Sequence, residues 1–518
     1  MFSDQFAVPS VAVPVRQVRP QSPAPRPSPL SACVVFLGCP KNQIDSEHVL
    51  GSLSQAGHNL TTDPESADVI IITTCAFLQS AVRESEAAIE EAIKLKRGSS
   101  SRRVVVAGCL VERYGAGLKK KFPSVDLWVP LRDMPRIPQL LVPSLKPQAA
   151  SSGKSEVCNL KSAICNESPR VLSTPPHFAY LKIADGCDNR CSYCMIPDIR
   201  GPFHSRPMPD IIAEATELAR AGVKELVLVA QDTTLYGTDL RIGVHHQDTK
   251  AQRSRLAELL AELGRIDGIR WLRLMYTHPA HLTEDVIDQF ASNPKLCRYI
   301  DLPIQHVADH LLEKMNRRYT RQDVELLLEP LRAIPDMHIR TTIIVGLPGE
   351  TARDFEELLA FVRSARFDRL SCYAYSPEIG TKAARLPDQV SPAVKKERVR
   401  RLMLAQAAIS RANLKKLVGR KLTALVDALT ADTGSYHKAC PERSRRDTKT
   451  PSPGSGNRQS SLVTRHSSKG ISGLGRTEWD APEIDGVAKL SGRSVRPGTF
   501  VRVLVTGSST HDLSARVL

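Results

Sequence analysis

The stretch "KIADGCDNRCSYCMIPDIRG" (Lys182 to Gly201) places Cys187, Cys191 and Cys194 within eight residues. It begins inside an apolar run, "FAYLKIA", with the composition of a buried strand. Five further runs of that kind follow: "ELVLVAQ", "RWLRLMY", "RYIDLPIQ", "IRTTIIVG" and "RLSCYAYS". Helical patterns such as "PDIIAEATELARAG" and "ETARDFEELLAFVRSA" separate them. Six strand–helix units between residues 175 and 413 suit an incomplete (β/α)6 barrel rather than a closed eight-stranded one. The three cysteines then lie just beyond the first strand, at the end of the barrel where active sites form.

Three thiols narrow the chemistry. Closed structural zinc sites take four ligands, commonly as paired CxxC knuckles, and no second pair follows here. A disulfide would leave one thiol over. Three thiolates suit a four-iron, four-sulfur cluster with one iron left open to a small ligand. His204 is a candidate fourth ligand.

Upstream, residues 32–144 show the runs "CVVFLG", "DVIIITT" and "RVVVAG" alternating with helix-like segments. One of these, "SAVRESEAAIEEAIKLKRG", opens on Ser80 and closes on Gly98. Buried β-branched runs between helices predict a parallel α/β sheet. Cys39, Cys75 and Cys109 each follow one run, at spacings of 36 and 34 residues that fit one crossover apiece. The carboxyl ends of parallel strands line one crevice, so these thiols are expected to converge on a second metal site. The alternative is three separate core cysteines, because free cysteine packs as a small hydrophobe. Cys33, Cys158, Cys165, Cys297, Cys372 and Cys440 follow no such pattern.

Downstream, residues 414–518 contain "KLTALVDAL", "DGVAKL" and "GTFVRVLVTGSS", which predict a small OB-like β-barrel. A polar, basic, Pro/Ser/Gly-rich segment at about residues 433–470 reads as a disordered insertion in that barrel. Residues 1–31 read as a disordered arm and residues 145–174 as a linker.

The formal charge of +16 suggests an anionic partner such as RNA or a ribosomal particle. Half of the excess sits in the arm and the insertion, which weakens that inference to a solvated basic surface. Twelve cysteines in 518 residues are far from a disulfide scaffold. No apolar run is long enough to span a membrane, and the N-terminal stretch lacks a signal-peptide core. The expected compartment is the cytoplasm, where clustered cysteines mean metal or catalysis.

The CxxxCxxC spacing with Tyr193 before the last cysteine resembles the radical S-adenosylmethionine superfamily. "IIVGLPGE" (Ile343 to Glu350) is similar to the motif by which that superfamily's fifth strand lies along the cofactor. The resemblance implies that the open iron chelates S-adenosylmethionine and that one electron splits it to a 5′-deoxyadenosyl radical. With Cys39, Cys75 and Cys109 and a terminal β-domain added, the whole chain from about residue 32 resembles the methylthiotransferases. In that family an N-terminal methylthiotransferase domain, a radical core and a C-terminal TRAM domain carry two four-iron, four-sulfur clusters. One S-adenosylmethionine methylates a sulfur, and a second removes hydrogen from an unactivated carbon that then accepts the methylthio group.

Seven strings resemble the branch that modifies an aspartate of ribosomal protein S-twelve: "LGCPKNQIDSE", "DGCDNRCSYC", "IPDIRGPFHSR", "AQDTTLYG", "YTHPAHL", "DLPIQHVADHLLEKMNR" and "GRTEWDAPEIDG". The transfer-RNA branch would show Gly-Cys-Gln-Met-Asn at the first cysteine and Pro-Val-Gln-Ser in place of "PIQH". The resemblance implies the small ribosomal subunit as partner, RNA contact through TRAM, and an electron donor such as flavodoxin or ferredoxin. Tyr193, Gln231, Gln305, Arg340 and Gly346 are expected beside the cofactor, and Asp232 and His306 lie at strand ends near them. Arg200, His204 and Arg206 are expected to meet the substrate carboxylate, because a buried carboxylate needs a cationic partner. Two other readings stay open: a transfer-RNA adenosine methylthiotransferase, and a non-catalytic iron–sulfur electron carrier.

Overall fold

Parallel pairing organises the first two-thirds of the chain. The structure is a computed structural model that describes residues 29–99, 101–141, 170–240, 254–430, 472–493 and 495–518. The N-terminal arm, most of the linker, the insertion, and Cys158, Cys165 and Cys440 lie outside the described residues.

The first sheet has strands β1 (Ser31–Phe36), β2 (Asn59–Thr61), β3 (Val69–Thr74), β4 (Arg103–Gly108) and β5 (Leu127–Val129). Their order is β2-β1-β3-β4-β5, every pair parallel. Helices α1 (Pro40–Gln55), α2 (Gln79–Arg97) and α3 (Cys109–Lys121) leave the carboxyl ends of β1, β3 and β4. Side chains alternate across a strand, so Ile70 and Ile72 pack with Val82 and Ile89 while Val69 and Ile71 pack with Val49 and Leu53. Both faces are therefore covered by helices, which explains the unbroken apolar runs. Helix α2 begins one residue before Ser80, with Leu78 flanking it and no side-chain cap. The orphan N–H of Gln79 donates instead to Glu378 Oε1 at 3.1 Å, across the boundary to the central domain.

The central domain contributes β6 (Phe178–Lys182), β7 (Ala184–Asp185), β8 (His204–Ser205), β9 (Glu225–Val229), β10 (Trp271–Leu274), β11 (Leu296–Asp301), β12 (His338–Val345) and β13 (Arg369–Ala374). Six of them form an open sheet in sequential order, β6-β9-β10-β11-β12-β13. A helix follows each strand, ending with Pro392–Lys415, whose N-cap Ser391 accepts the Val394 N–H. The helix-side face of the sheet holds Leu181, Leu228, Leu274 and Ile343. The opposite, concave face holds Phe178, Tyr180, Val227, Trp271 and Tyr299.

The last strands, β14 (Lys421–Leu429), β15 (Gly473–Thr477), β16 (Ala488–Ser491), β17 (Phe500–Ser508) and β18 (Leu513–Val517), close a five-stranded barrel in the order β14-β15-β16-β18-β17. The barrel plugs the concave face: Leu425, Ala481 and Phe500 pack with Trp271 and Tyr299. Strands β15 and β18 were not anticipated from the apolar pattern.

Candidate functional site

The first cysteine set gathers at the carboxyl ends of β1, β3 and β4. Cys39 flanks the start of α1, Cys75 follows β3, and Cys109 opens α3. Asn42, on the first turn of α1, ties the three turns together. Its Nδ2 donates to the carbonyls of Leu37 (3.0 Å) and Thr74 (2.8 Å), and its Oδ1 accepts from the Cys109 thiol at 3.5 Å. Gly38 permits the approach: at φ +106° it lies where an added Cβ would sit 2.8 Å from Cys75 Cβ. Burial raises the Cys75 thiol, and it pushes Cys109 up to about 12 against the pull of Arg200.

The second set lies on a cinched excursion. Strands β7 and β8 pair antiparallel, Ala184 with Ser205 and Asp185 with His204. The loop between them carries Cys187, Cys191 and Cys194. At Gly186 (φ +74°) an added Cβ would meet the Pro202 carbonyl oxygen at 1.9 Å, so the loop neck admits only glycine. The Cys187 N–H donates to Gly201 O at 3.2 Å and the Cys194 N–H to Cys191 O at 3.0 Å. Arg317 donates to Cys191 Sγ at 3.5 Å, and the Ile196 N–H to Cys194 Sγ at 3.4 Å. Tyr193 anchors the loop by packing with Met315, Leu347 and Tyr375. Burial pushes Cys187 up to about 11 and Cys194 up to about 12. A metal cation would deprotonate them on binding.

The spacing of the thiols also bears on the metal. Among the described residues, Asp232, His278 and His281 draw their ligand atoms within 4.8 Å of one another, and neither cysteine set is so tight. Tetrahedral zinc, at about 2.3 Å per sulfur, would pull three thiolates to about 4 Å apart.

At the neighbouring strand ends, polar atoms point inward without partners. Gln231 follows β9; its Nε2 donates to Asp185 Oδ1 at 2.8 Å, and its buried Oε1 has no partner. Gln305 follows β11 with a left-handed backbone (φ +63°), and its Oε1 is likewise unpartnered. Unpaired buried oxygens of this kind suit a polar cofactor that supplies N–H and O–H donors. Arg340 lies deeper, 3.9 Å from Asp301 and 3.7 Å from Asp485. Asp232 is fully engaged by Asn189, Thr234 and His281. Buried His306 accepts the Ala308 N–H at Nδ1, and burial lowers it to about 3. At Gly346 (φ +78°) an added Cβ would meet Lys395 Cγ at 2.3 Å, so its missing side chain makes room for that lysine stem.

The expected substrate cations also prove to be otherwise occupied. Arg200 Nη1 binds Asp185 at 2.9 Å, while Nη2 binds Asn42 at 2.5 Å and Asp45 at 3.1 Å, and reaches Cys109 Sγ at 3.7 Å. It therefore bridges the two cysteine sets instead of facing a substrate. Arg206 pairs with Glu214 at 2.7 Å. His204 has a half-exposed side chain 3.5 Å from Asp239. The charges of Arg200 and Arg206 are thus met by internal carboxylates, which corrects the expectation for those two drawn from their proximity in sequence.

Lys41, Asp185 and Arg317 went unremarked in the sequence. A signal for Lys41 was present: a residue two places after a strand-end cysteine, at a helix start, lies beside that crevice. Lys41 is buried, and its Nζ sits 3.4 Å from the centre of the Tyr276 ring. Burial pulls its ammonium below the ordinary lysine range.

Comparison with known proteins is consistent with this three-part layout. Residues 31–130 match the model of uncharacterized protein family UPF0004, residues 181–362 the radical SAM superfamily, and residues 456–518 the TRAM domain. The ribosomal protein uS12 methylthiotransferase RimO of Pelotomaculum thermopropionicum is 41% identical over 94% of this chain and 98% of the relative. RimO of Anaeromyxobacter sp. is 40% identical over 93% and 92%, and RimO of Trichlorobacter lovleyi 38% over 94% and 97%. Among solved structures, the radical S-adenosylmethionine methyltransferase TsrM of Kitasatospora setae aligns with a TM-score of 0.51 at 14% identity, covering 73% of this chain and 89% of that one. At that identity the likeness concerns fold alone. No helix among the described residues is long and apolar enough to cross a membrane.

Proposed function

The chain belongs to the family of ribosomal protein uS12 methylthiotransferases, and from that membership we propose that it attaches a methylthio group to the β-carbon of an aspartate in uS12. As a radical S-adenosylmethionine protein it takes S-adenosylmethionine and a four-iron, four-sulfur cluster. We assign that cluster to Cys187, Cys191 and Cys194, and a second, sulfur-carrying one to Cys39, Cys75 and Cys109. When bound, these groups supply the one-electron and sulfur chemistry that an unactivated C–H bond demands.

The observation that carries the reading is Arg200. One guanidinium joins Asp185, at the neck of the second loop, to Asn42 and Cys109 of the first set. Two thiol-bearing loops joined by one part-buried ion-pair network suit a reaction in which one site activates carbon and the other delivers sulfur. Arg317 and the Ile196 N–H orient the thiols of the second loop. Gln231 and Gln305 offer acceptors to S-adenosylmethionine, with Arg340 beneath them. Tyr193 fixes the loop and excludes water from it. Electrons come from a small carrier such as flavodoxin or ferredoxin.

A second reading, methylthiolation of adenosine in transfer RNA, draws on the TRAM domain and the basic charge. In our reading the TRAM domain contacts ribosomal RNA around the uS12 target. The deciding assay offers the reduced holoenzyme a uS12 loop peptide and an isopentenyl-adenosine transfer RNA together. Mass spectrometry is expected to find the exchange of H for SCH₃ on the peptide aspartate alone. Modification of the transfer RNA with none on the peptide would overturn the proposed substrate.

A further inference from the structure

Lys41 is 6% exposed, yet among the described residues no carboxylate oxygen lies within 4.0 Å of its Nζ and no hydrogen bond holds it. Its neighbours differ. Lys182 binds Asp45 at 2.5 Å and Asp185 at 3.2 Å, and Arg200 binds the same two acids. The local carboxylates are thus shared among other cations. A largely buried ammonium that makes no close ion pair is free to take one.

Its position indicates the partner. Lys41 stands two residues after Cys39, on the first turn of α1. The ring beneath it belongs to Tyr276, two residues past β10, at the carboxyl end of the central sheet. The ammonium therefore lies where the first thiol set faces the core. Tyr276 is held there in a left-handed backbone (φ +58°), a conformation unfavourable for a bulky residue. The Asp301 carboxylate fixes it by accepting the Tyr276 N–H at 3.0 Å, and the Tyr276 carbonyl accepts the Thr233 N–H at 3.0 Å. The surroundings hold the ring in place as a platform under a cation that faces the Cys39 end of the first thiol set and, among the described residues, has no carboxylate oxygen within 4.0 Å.

We propose that Lys41 is the counter-ion for the carboxylate of the target aspartate, fixing its β-carbon between the two cysteine sets and selecting an acidic side chain over a neutral one. The proposal rests on the methylthiotransferase reading above. A carboxylate is also carried by S-adenosylmethionine, so the test separates the two sources. The ammonium donates to the aspartate carboxylate, Tyr276 supports it from below, and Arg200 remains with its internal acids.

Wild type, Lys41→Met and Lys41→Arg are prepared as reconstituted holoenzymes and checked for iron content. Each is offered the uS12 loop peptide with aspartate at the target position, and the same peptide with asparagine. Fluorescence anisotropy gives peptide Kd, equilibrium dialysis gives S-adenosylmethionine Kd, and mass spectrometry gives methylthiolation. Wild type is expected to prefer the aspartate peptide by about tenfold or more, the worth of one hydrogen bond to a charged group. Lys41→Met should level the two peptides, and Lys41→Arg should keep part of the preference. A Lys41→Met enzyme that loses its iron leaves the decision to Lys41→Arg and to the wild-type preference. If wild type binds both peptides alike, or Lys41→Met keeps the preference, Lys41 only packs on Tyr276 and the proposal fails. If Lys41→Met weakens S-adenosylmethionine and spares the peptide preference, the cofactor is the occupant and the proposal is overturned. A wild type that modifies neither peptide overturns the methylthiotransferase reading instead.

Discussion

Gly38 shows how much of this site depends on a single missing side chain. The turn after β1 must bring Cys39 and Asn42 against the end of β3, and the space for a Cβ there is already filled by Cys75. The left-handed φ adds strain to any other residue. Gly38→Ala should therefore push the Cys39 turn away from Cys75 while leaving the Cys187 loop intact. Reconstituted protein is expected to fall from about eight irons to about four, read by iron analysis, and to keep reductive cleavage of S-adenosylmethionine. Residues of this kind were partly legible in the sequence. The six cysteines stood out because three sit in one short spacing and three end successive strands. Lys41, Asp185 and Arg317 did not, because each draws its importance from neighbours remote along the chain. Arg317 reaches Cys191, and Asp185 meets Arg200 only after the loop has folded back. The Gly346 neighbour that excludes a side chain is equally remote: Lys395, on a helix that begins at Pro392.

At the scale of elements, long β-branched runs announced their strands, since a strand buried on both faces has little choice of composition. Strand β15 escaped because "GLGRT" carries two glycines for close approach: a Cβ at Gly475 would meet the Leu425 carbonyl oxygen at 2.5 Å. Strand β18, "LSARV", is short and half-exposed at the end of the chain. The pairing of β14 with β15 carries a prediction of its own. Leu429 is in register with Gly473, so the ladder runs to the last described residues before the intervening segment. Replacing residues 435–469 by a short Gly/Ser link should preserve the barrel, iron content and cofactor cleavage. Loss of both folding and iron would show that the segment is structural. The strand-end cysteines carry another. Changing Cys187, Cys191 and Cys194 together to alanine should abolish cleavage of S-adenosylmethionine. Changing Cys39, Cys75 and Cys109 should remove about four irons and stop sulfur transfer while cleavage persists. Full iron in the second variant would mean that those three thiols hold no cluster.

Across the whole molecule, the terminal barrel is joined to the core by a buried charge network beside its apolar contacts with Trp271 and Tyr299. Glu225, at the start of β9, receives Arg273 Nε from β10 at 2.8 Å and Arg476 Nη1 from β15 at 2.7 Å. Arg476 also binds Asp427 of β14 at 2.9 Å, and Asp427 meets His177 Nε2 at 3.0 Å. These side chains are at most 2% exposed, so solvent screens little of the interaction. Such a network is poor evidence for net stability, because desolvation opposes the attraction, but removing one charge leaves the others uncompensated. Glu225→Gln keeps the shape of the side chain and strands Arg273. It should destabilise the junction by about 3 to 5 kcal/mol. Removing the exposed Arg321–Glu325 pair, with both side chains nearly half exposed, should cost under about 1 kcal/mol. Tryptophan fluorescence reports on the junction directly, since Trp479 stacks on His338 and Trp271 meets Phe500 edge-on. The transition seen by those tryptophans should move to lower denaturant in Glu225→Gln and stay in place for the exposed pair. Equal shifts in the two variants would mean that the barrel is held by its apolar contacts with Trp271 and Tyr299 alone. The distinction matters for function, because the barrel plugs the concave face on whose upper rim Tyr276 and Asp301 are set.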